Sequence, residues 1–297
     1  MEETFETNRK DWYDRWHKKM LLIPVAVMII SLVYIFYFYS VHGDIMHRDS
    51  SLTGGTTITL KGDIDMVKIE TELKKEYTDL VTRKLTDIRT GEPVSFIIES
   101  SAKPEELKPS IEKILDYKLT EENSNIEFTG PSLSQSFYKQ LIIALFISFI
   151  LMSCVVFILF RTFTPSIAVI FAAFSDIVMP LALIDYLGIR ISAAGIAAFL
   201  MLIGYSVDTD ILLTTRALRK RGGKLNQRIY GAFKTGIFMT TTALIAVLPA
   251  FFVVSSLPDS FRQIFFILSL GLVADIFNTW LTNASIIKWY CDHKKIE

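Results

Sequence analysis

Six long apolar runs constrain this chain more than any other feature of its sequence. A bilayer core of roughly 30 Å needs about 20 apolar residues for one helical crossing, and 51% of the 297 residues are hydrophobic. Each run is long enough to cross once, so the sequence predicts a membrane protein with an all-α bundle of six transmembrane helices. The runs cover residues 20–39, 138–160, 165–187, 191–215, 235–256 and 261–287.

The charged residues and cysteines exclude several functions. Lysine plus arginine number 31 and aspartate plus glutamate also number 31. The chain therefore lacks the basic excess that a nucleic-acid-binding protein needs to neutralise phosphates. Cys154 lies inside an apolar run and Cys291 near the C-terminus, which allows neither a disulfide framework nor a zinc pattern. His42 and His47 have no ligand set around them, so we expect no metal, no cofactor and no enzymatic activity.

Basic residues in the short loops predict the orientation of the chain. Lysines and arginines precede the first run and fill the loop after the fourth, and such residues favour the cytoplasmic side. The first run is too long for a signal peptide and ends in bulky residues, so we expect a retained anchor. We therefore expect a multi-pass protein of the cell membrane with both termini in the cytoplasm. Its predicted divisions are 1–19 (cytoplasmic), 20–39 (first helix), 40–137 (extracytoplasmic domain), 138–287 (five-helix block) and 288–297 (cytoplasmic tail).

The large first loop is expected to fold as a compact α+β domain. Its patterns alternate between strand and helix in the order β-α-β-β-α-β, which is typical of a ferredoxin-like unit. Thr56 to Leu60 alternates as a strand, and Pro104 suits the first turn of a helix. The predicted strands are 56–60, 80–89, 94–99 and 125–129, and the predicted helices are 65–77 and 104–118.

Four aspartates lie well inside the apolar runs, away from their ends. Asp176 lies in the third run, Asp208 and Asp210 in the fourth, and Asp275 in the sixth. An ionised carboxylate in a membrane span costs about 2.5 to 3.5 kcal/mol and usually faces a bundle interior or a water-filled cavity. Each of the four is therefore a candidate functional residue.

Helical phase separates the two aspartates of the fourth run. At about 100° per residue they point about 200° apart, so they cannot face one cavity. Asp208 is the deeper of the two and stands near Gly204 and Ser206, which favours a functional role. Asp210 is closer to the basic end of the run, where either a functional role or a solvated position at the membrane surface is expected.

The fifth and sixth runs supply hydroxyl and amide partners for these carboxylates. Threonines at 240–242 are at about the depth of Asp208, and hydroxyls can hydrogen-bond a carboxylate and hold water beside it. Asn278 and Thr279 follow Asp275 on the same helix face. A protonatable aspartate with such neighbours is the minimum that a proton or sodium relay needs. The alternative is that these polar side chains only hold helices together.

Several motifs of the chain resemble those of one family of membrane proteins. TGGT at 53–56 and FTGPSLS at 128–134 lie at the two ends of the first loop. FSDIVMPLAL at 174–183, GYSVDTDILLTTRALRKRGG at 204–223 and GAFKTGIFMTTTAL at 231–244 lie in the membrane part. In combination, and over essentially the whole chain, they resemble the SecF subunit of the SecD/SecF protein-export complex in its archaeal form, a branch of the RND superfamily.

The resemblance implies a function in protein export. Members of this family use the ion gradient to promote export or insertion of polypeptide chains by a SecY-type channel, with SecD as partner. The family's helix-four aspartate matches Asp208, where bacterial SecF has Asn-Asp in place of Asp208-Thr209. Bacterial members also have an arginine in place of Lys234, and lysine is the more flexible and more easily deprotonated cation. The expected ion relay residues are Asp176, Asp208, Asp210, Lys234, Thr241, Thr242 and Asp275.

Three other functions are compatible with the sequence. The first is an RND-type exporter of lipid or small solutes, for which one six-helix unit and its single outer domain are small. The second is an intramembrane aspartyl protease, which needs two aspartates that face each other. The third is a structural scaffold, which predicts that Asp208→Asn leaves activity intact.

Overall fold

The chain forms a bundle of long helices with one small sheet, in a computed structural model that describes residues 15–62, 64–86, 93–219, 223–253 and 259–296. The helices are α1 (Leu22–His42), α2 (Ser50–Thr53), α3 (Met66–Glu76), α4 (Pro104–Leu115), α5 (Pro131–Phe160), α6 (Phe163–Tyr186), α7 (Ala193–Leu218), α8 (Leu225–Val253), α9 (Asp259–Phe277), a π-helix (Asn278–Asn283) and α10 (Ala284–His293). The strands are β1 (Gly55–Lys61), β2 (Val81–Thr86), β3 (Pro93–Ser100) and β4 (Ser124–Thr129). Parts of the predicted N-terminal segment (1–14), second strand (87–89), fifth run (254–256) and C-terminal tail (297) lie outside the described residues.

Six helices in the described part of the chain are long and apolar enough to cross a membrane, as the sequence predicts. The first span begins at Arg15, and the sixth runs from Phe261 through the π-helix to His293. Helices α5 and α8 begin at Pro131 and Leu225, earlier than the predicted runs at 138 and 235. The reason is that hydropathy detects only the apolar part of a helix, whereas backbone hydrogen bonding continues through the polar residues beside it.

The first loop contains a four-stranded antiparallel sheet with the strand order β2-β3-β1-β4. In the central strand β1, Thr57 pairs with Glu99 of β3 on one side and with Glu127 of β4 on the other. Helices α3 and α4 pack together and, with the sheet, enclose an apolar core, because alternate strand residues point to one face. The buried core residues are Ile58, Leu60, Ile69, Leu73, Leu80, Phe96, Ile98, Leu107, Ile111 and Leu119.

The domain of the first loop, called the outer domain because it lies outside the helix bundle, is attached to the turn between α6 and α7. The carbonyl oxygen of Ile191 in this turn accepts a hydrogen bond from the Asp49 amide at 3.1 Å, and its amide donates to the His47 carbonyl oxygen at 2.7 Å. The Arg190 guanidinium lies 3.3 Å from the Glu99 carboxylate of β3. The domain and the membrane helices therefore meet through a polar junction.

Two glycines in the TGGT motif lie where the chain approaches itself closely. Gly54 has φ 88° and Gly55 has φ 134°, in the region of backbone conformation that favours glycine. A Cβ atom on Gly54 would meet the backbone of Pro131 at the start of α5, and one on Gly55 would meet the carbonyl oxygen of Ser100. The motif therefore packs the start of β1 against the start of α5 and the end of β3, and neither glycine position has room for a side chain.

Helix α7 is the centre of the membrane bundle. It packs against α5, α6, α8 and α9. Gly271 of α9 faces Leu202 of α7 so closely that a Cβ atom on the glycine would overlap the leucine side chain. Small residues allow such close approach of membrane helices. One face of α7 is therefore enclosed on several sides by its neighbours.

Candidate functional site

Three of the four intramembrane aspartates are buried at the centre of the bundle. Asp176 and Asp210 are 0% exposed and Asp275 is 1% exposed. They come from α6, α7 and α9, so three helices contribute one carboxylate each. Their hydrogen bonds come from hydroxyl and amide groups, and within the described part of the chain no basic side chain donates to them.

Threonine hydroxyls surround the carboxylate of Asp275. The hydroxyl of Thr209 lies 2.9 Å from Oδ1 and 3.2 Å from Oδ2. Thr279 lies 3.0 Å from Oδ1, and Thr240 lies 3.4 Å from Oδ2. A hydroxyl can donate to an ionised carboxylate or accept from a protonated one, so these three neighbours suit both states.

Asp210 is held by two side chains of the π-helix. Its Oδ1 atom accepts from the Asn283 amide at 2.7 Å and lies 2.9 Å from the Thr279 hydroxyl. Its Oδ2 atom is buried and has no hydrogen-bond partner among the described residues. One oxygen atom of this carboxyl group thus has two hydrogen-bond partners, and the other has none among the described residues.

Asp176 occupies the α6 side of the same network. Its Oδ1 atom accepts from the Asn278 amide at 2.6 Å, and its Oδ2 atom accepts a hydrogen bond from the Ser206 hydroxyl. The Ser206 carbonyl oxygen in turn accepts from Thr209 at 2.9 Å. The polar contacts therefore continue from Asp176 to Asp275 by way of α7.

The π-helix supplies a donor to each of these aspartates. Its backbone bonds run from residue i to i+5, which widens the turn and changes the direction of the side chains relative to an α-helix. Asn278, Thr279 and Asn283 are all buried and all bond to the aspartates. Such segments inside α-helices are frequently found at functional sites.

Trp280 fixes the position of α8 beside the network. Its indole ring lies against Gly236, where a Cβ atom would overlap the ring. The residue one turn further along α8 is Thr240, which is 3% exposed and faces Asp275. Close packing at Gly236 therefore brings the Thr240 hydroxyl to the carboxylate.

The structure buries Asp210 and leaves Asp208 exposed, although Asp208 is the residue expected to lie deeper in the membrane. Asp208 is exposed on the outer face of α7, whereas Asp210 is fully buried. The predicted angular separation agrees with this outcome, since the two residues lie on different faces. What the phase of one helix could not decide is which face its neighbours cover.

Three other predicted relay residues also lie outside the network. Thr241 and Thr242 are exposed on α8, and the Thr242 hydroxyl bonds to the Phe238 carbonyl oxygen of its own helix at 2.7 Å. Lys234 is exposed as well. The threonine of this run that contacts a carboxylate is Thr240. Of the predicted set, the structure brings together Asp176, Asp210 and Asp275.

The buried face of α7 carries a pattern that identifies two residues missing from the predicted set. Ser206, Thr209 and Asp210 are spaced i, i+3 and i+4, in phase with the buried residues Leu202 and Leu213. This spacing places them on one helix face. The polar residues in phase with large apolar ones therefore mark the side of the helix that faces the bundle.

Known proteins match the chain over its membrane part and over nearly its full length. Residues 110–293 match the family described as "Protein export membrane protein SecD/SecF, C-terminal". The protein-export membrane protein SecF of Methanolacinia petrolearia is 35% identical over 288 residues, which cover 97% of this chain and 96% of the relative. The SecF protein of Methanocaldococcus jannaschii is 36% identical over 281 residues, with coverage of 92% and 95%.

Solved structures share the fold at low sequence identity. SecDF from Thermus thermophilus, described as a translocon-associated membrane protein, has a TM-score of 0.73 at 15% identity, and SecDF in a super-membrane-facing form has a TM-score of 0.59 at 17% identity. The matches cover 93% and 94% of this chain but only 38% and 39% of the SecDF chains. Because the family match extends over most of the chain and the SecF relatives over nearly all of it, the chain belongs to the SecD/SecF family of protein-export membrane proteins.

Proposed function

We propose that the chain is an auxiliary subunit of a Sec protein translocase, which uses the transmembrane ion gradient to promote export of polypeptide chains or their insertion into the membrane. The observation that carries this proposal is the buried network of Asp176, Asp210 and Asp275, which lies within the segment matched by the family. Ionisable side chains inside a bundle are costly, and membrane proteins use them to move protons or ions. The relatives that carry the name of a protein-export membrane protein support export as the process.

The relay would run through the three buried aspartates and the hydroxyls between them. The Ser206 hydroxyl bonds Asp176 and is also a hydrogen-bonding neighbour of Asp275. A hydroxyl in this position can accept a proton from one carboxyl group while it donates its own to the other. A change in proton occupancy would alter hydrogen bonds between α6, α7 and α9 together, which is how an ion gradient could move these helices.

The exposed position of Asp208 is an argument that a second membrane subunit covers this face of α7. An exposed carboxylate on a membrane helix is as costly as a buried one unless another polar group covers it. Tyr205 and Gly204 are exposed next to it on α7. We assign this face to SecD, and we assign Thr241, Thr242 and Lys234, the other exposed relay candidates, to contacts made in the assembled complex. A SecY-type channel, the exported chain and the lipid bilayer are the remaining partners.

The outer domain is assigned to the ferredoxin-like class and to the extracytoplasmic side. The strand order β2-β3-β1-β4 with two helices supports the first assignment. The second rests on the basic residues in and beside the α7–α8 loop, which include Arg216, Arg219, Lys224 and Arg228 and favour the cytoplasm. The domain contacts the α6–α7 turn, at the opposite end of α7 from that loop.

The other functions considered from the sequence have less support. An exporter of lipid or small solutes is not favoured, because the relatives of nearly equal length are named for protein export. A protease that uses Asp208 with Asp210 is not favoured, because the two side chains lie on different faces of α7. A scaffold without ion coupling differs from the proposal in what aspartate substitutions do.

Reporter export in cells that also make SecD tests the proposal. Asp176→Asn, Asp210→Asn and Asp275→Asn are compared with the parent and with Asp116→Asn, a matched change at an exposed aspartate of the outer domain. We expect each buried substitution to lower the gradient-dependent export rate about tenfold, or about 1.4 kcal/mol in barrier height. Asp208→Asn should act through assembly with SecD, measured by co-purification. If all variants assemble and export like Asp116→Asn at a defined gradient, the ion-relay hypothesis is wrong and a structural scaffold without ion coupling is the better explanation.

A further inference from the structure

The hydroxyl group of Thr279 lies between two carboxyl groups. Its Oγ1 atom is 2.9 Å from Oδ1 of Asp210 and 3.0 Å from Oδ1 of Asp275. Thr279 is 0% exposed, so bulk water does not compete for these contacts. Both distances are within the range of O–H···O hydrogen bonds. A single hydroxyl oxygen thus joins the carboxylate of α7 to that of α9.

Counting protons shows what this arrangement requires. A hydroxyl group has one proton, so Thr279 can donate to Asp210 or to Asp275 but not to both. The second contact is a hydrogen bond only if the other carboxyl group is protonated and donates to Oγ1. With both carboxylates ionised, one of them would face the lone pairs of the hydroxyl oxygen. The geometry therefore fits a pair that carries one proton.

The remaining contacts of the pair agree with that count. Thr240 donates its proton to Asp275, and the Asn283 amide donates to Asp210. Thr209 uses its one proton on the Ser206 carbonyl oxygen, so its 2.9 Å contact with Oδ1 of Asp275 is also best satisfied by a protonated carboxyl group. Oδ2 of Asp210 is buried without a partner in the described residues. A bare buried oxygen is costly on an ionised carboxylate and much less so on a neutral carboxyl group.

The charged surroundings of the pair are acidic. Asp176 faces it from α6 within the same network. The nearest basic side chain along α7, Arg216, points to α8, where it bonds the Gly231 carbonyl oxygen at 2.7 Å and the Thr235 hydroxyl at 3.0 Å. Lys234 of α8 is exposed, and Lys288 of α10 pairs with Asp292 of its own helix. In the part of the chain that the structure describes, none of these cations bonds to the pair, so a bound proton is what reduces its charge.

We propose that Asp210 and Asp275 share one proton and exchange it through Thr279. In the exchange, the O–H bond of protonated Asp210 breaks as its proton moves to Oγ1 of Thr279. At the same time the hydroxyl proton of Thr279 moves to Oδ1 of Asp275. The hydroxyl ends with one proton as before, and the negative charge passes from Asp275 to Asp210. The value of this exchange for export rests on the proposed function, whereas the sharing itself is a property of the isolated chain.

Infrared spectroscopy of the full chain in lipid nanodiscs tests the sharing. The band of protonated carboxyl groups is recorded against pH for the parent, Thr279→Ser, Thr279→Val, Thr279→Ala and Asp210→Asn. Thr242→Val, which removes an exposed hydroxyl of α8, is the matched control. We expect a band at neutral pH that Asp210→Asn removes. Thr279→Ser and the control should keep its position and midpoint, while Thr279→Val should shift the midpoint by about one pH unit, which corresponds to one hydrogen bond.

Two outcomes would overturn the proposal. One is the absence of any protonated carboxyl band at neutral pH that depends on Asp210. The other is an unchanged band position and midpoint in both Thr279→Val and Thr279→Ala. The alanine variant keeps the test decisive if valine does not fold in the π-helix, and folding is checked by the melting temperature. If the band behaves as expected while Asp210→Asn exports normally, the sharing stands and the export role of the network fails.

Discussion

Carboxylates are buried in two regions: the polar junction between the outer domain and the α6–α7 turn, and the network of Asp176, Asp210 and Asp275 in the membrane bundle. The two regions stabilise their carboxylates in different ways. Glu99 at the junction is 2% exposed and forms ion pairs with Arg83 and with Arg190, the latter at 3.3 Å. Asp210 in the membrane is 0% exposed, and its hydrogen-bond partners in the described part of the chain, Thr279 and Asn283, are neutral. A guanidinium holds a carboxylate in its ionised form, whereas hydroxyl groups accept either form. Glu99 is therefore held in one charge state and stabilises the structure, whereas Asp210 has surroundings in which it can gain or lose a proton.

Asp49 makes the contrast testable within the junction itself. It caps α2, and its carboxylate accepts from the Ser51 amide at 2.9 Å and the Ser51 hydroxyl at 2.6 Å. Burial, with a smaller contribution from the charge of Glu99, raises the pKa of Asp49 to about 7 even though the Ser51 hydrogen bonds and the charge of Arg83 lower it. Asp49 thus resembles the membrane aspartates in changing its charge, although it lies next to the arginine-paired Glu99.

The largest expected effect is therefore a pH dependence of stability caused by Asp49. The folded chain keeps the proton up to about pH 7, while the unfolded chain loses it near pH 4, so the free energy of unfolding falls as pH rises between these values and is flat above. We expect a slope of about 1 kcal/mol per pH unit, measured by chemical unfolding in detergent micelles. Asp49→Asn, which keeps the helix cap, should remove this contribution to the slope and leave that of the buried membrane carboxyl groups. An equal slope in the parent and in Asp49→Asn would mean that the junction carboxylates are all fixed.

Glu99→Gln tests the carboxylate that the arginines hold in its ionised form. It leaves Arg83 and Arg190 without their anionic partner, and hydrogen bonds to charged groups are the stronger ones. We expect the free energy of unfolding to fall by about 2 kcal/mol. Glu122→Gln, at an exposed site of the same domain, is the control and should change nothing measurable. Equal stability of the two variants would show that the arginine pairs do not hold the junction together.

Gly236→Ala tests whether the membrane network depends on packing. The new methyl group would overlap the Trp280 ring and push α8 away from the π-helix. Overpacking of this kind typically costs about 1 to 3 kcal/mol, and we expect a value near the lower end because the ring can shift. Gly204→Ala is the control, since nothing lies within 4 Å of the added atom there. A parent-like melting temperature for Gly236→Ala would mean that Thr240 is not held in place by this contact.

The smallest effect is expected for Asp210→Asn. An amide keeps the shape of a neutral carboxyl group, so the free energy of unfolding should change by less than about 0.5 kcal/mol. The measurement is the same chemical unfolding as for Glu99→Gln, which makes the two substitutions a direct pair. A loss as large as that of Glu99→Gln would show that Asp210 is ionised in the folded chain and that the contrast is false.

Local sequence patterns were sufficient for the elements but not for the site. The six spans and the strand around Thr57 follow from hydropathy and alternation, which depend on neighbouring residues in the chain. The phase of one helix could not show that Asp210 and not Asp208 is buried, because burial of a helix face depends on the helices around it. The π-helix around Thr279 carries no comparable signal in a single sequence. Thr240 was distinguishable from its two neighbours only through its contact with Asp275.

The short turn between α6 and α7 has a mechanical consequence for the whole chain. It joins the helix that carries Asp176 to the helix that carries Asp210, and through Arg190 and Ile191 it also binds the outer domain. Because α1 and α5 enter the same domain at its two ends, the domain is attached to the membrane part at three places. We therefore expect a tilt of α6 against α7 to displace the sheet, with the turn as the pivot between the buried carboxylates and the domain of the first loop.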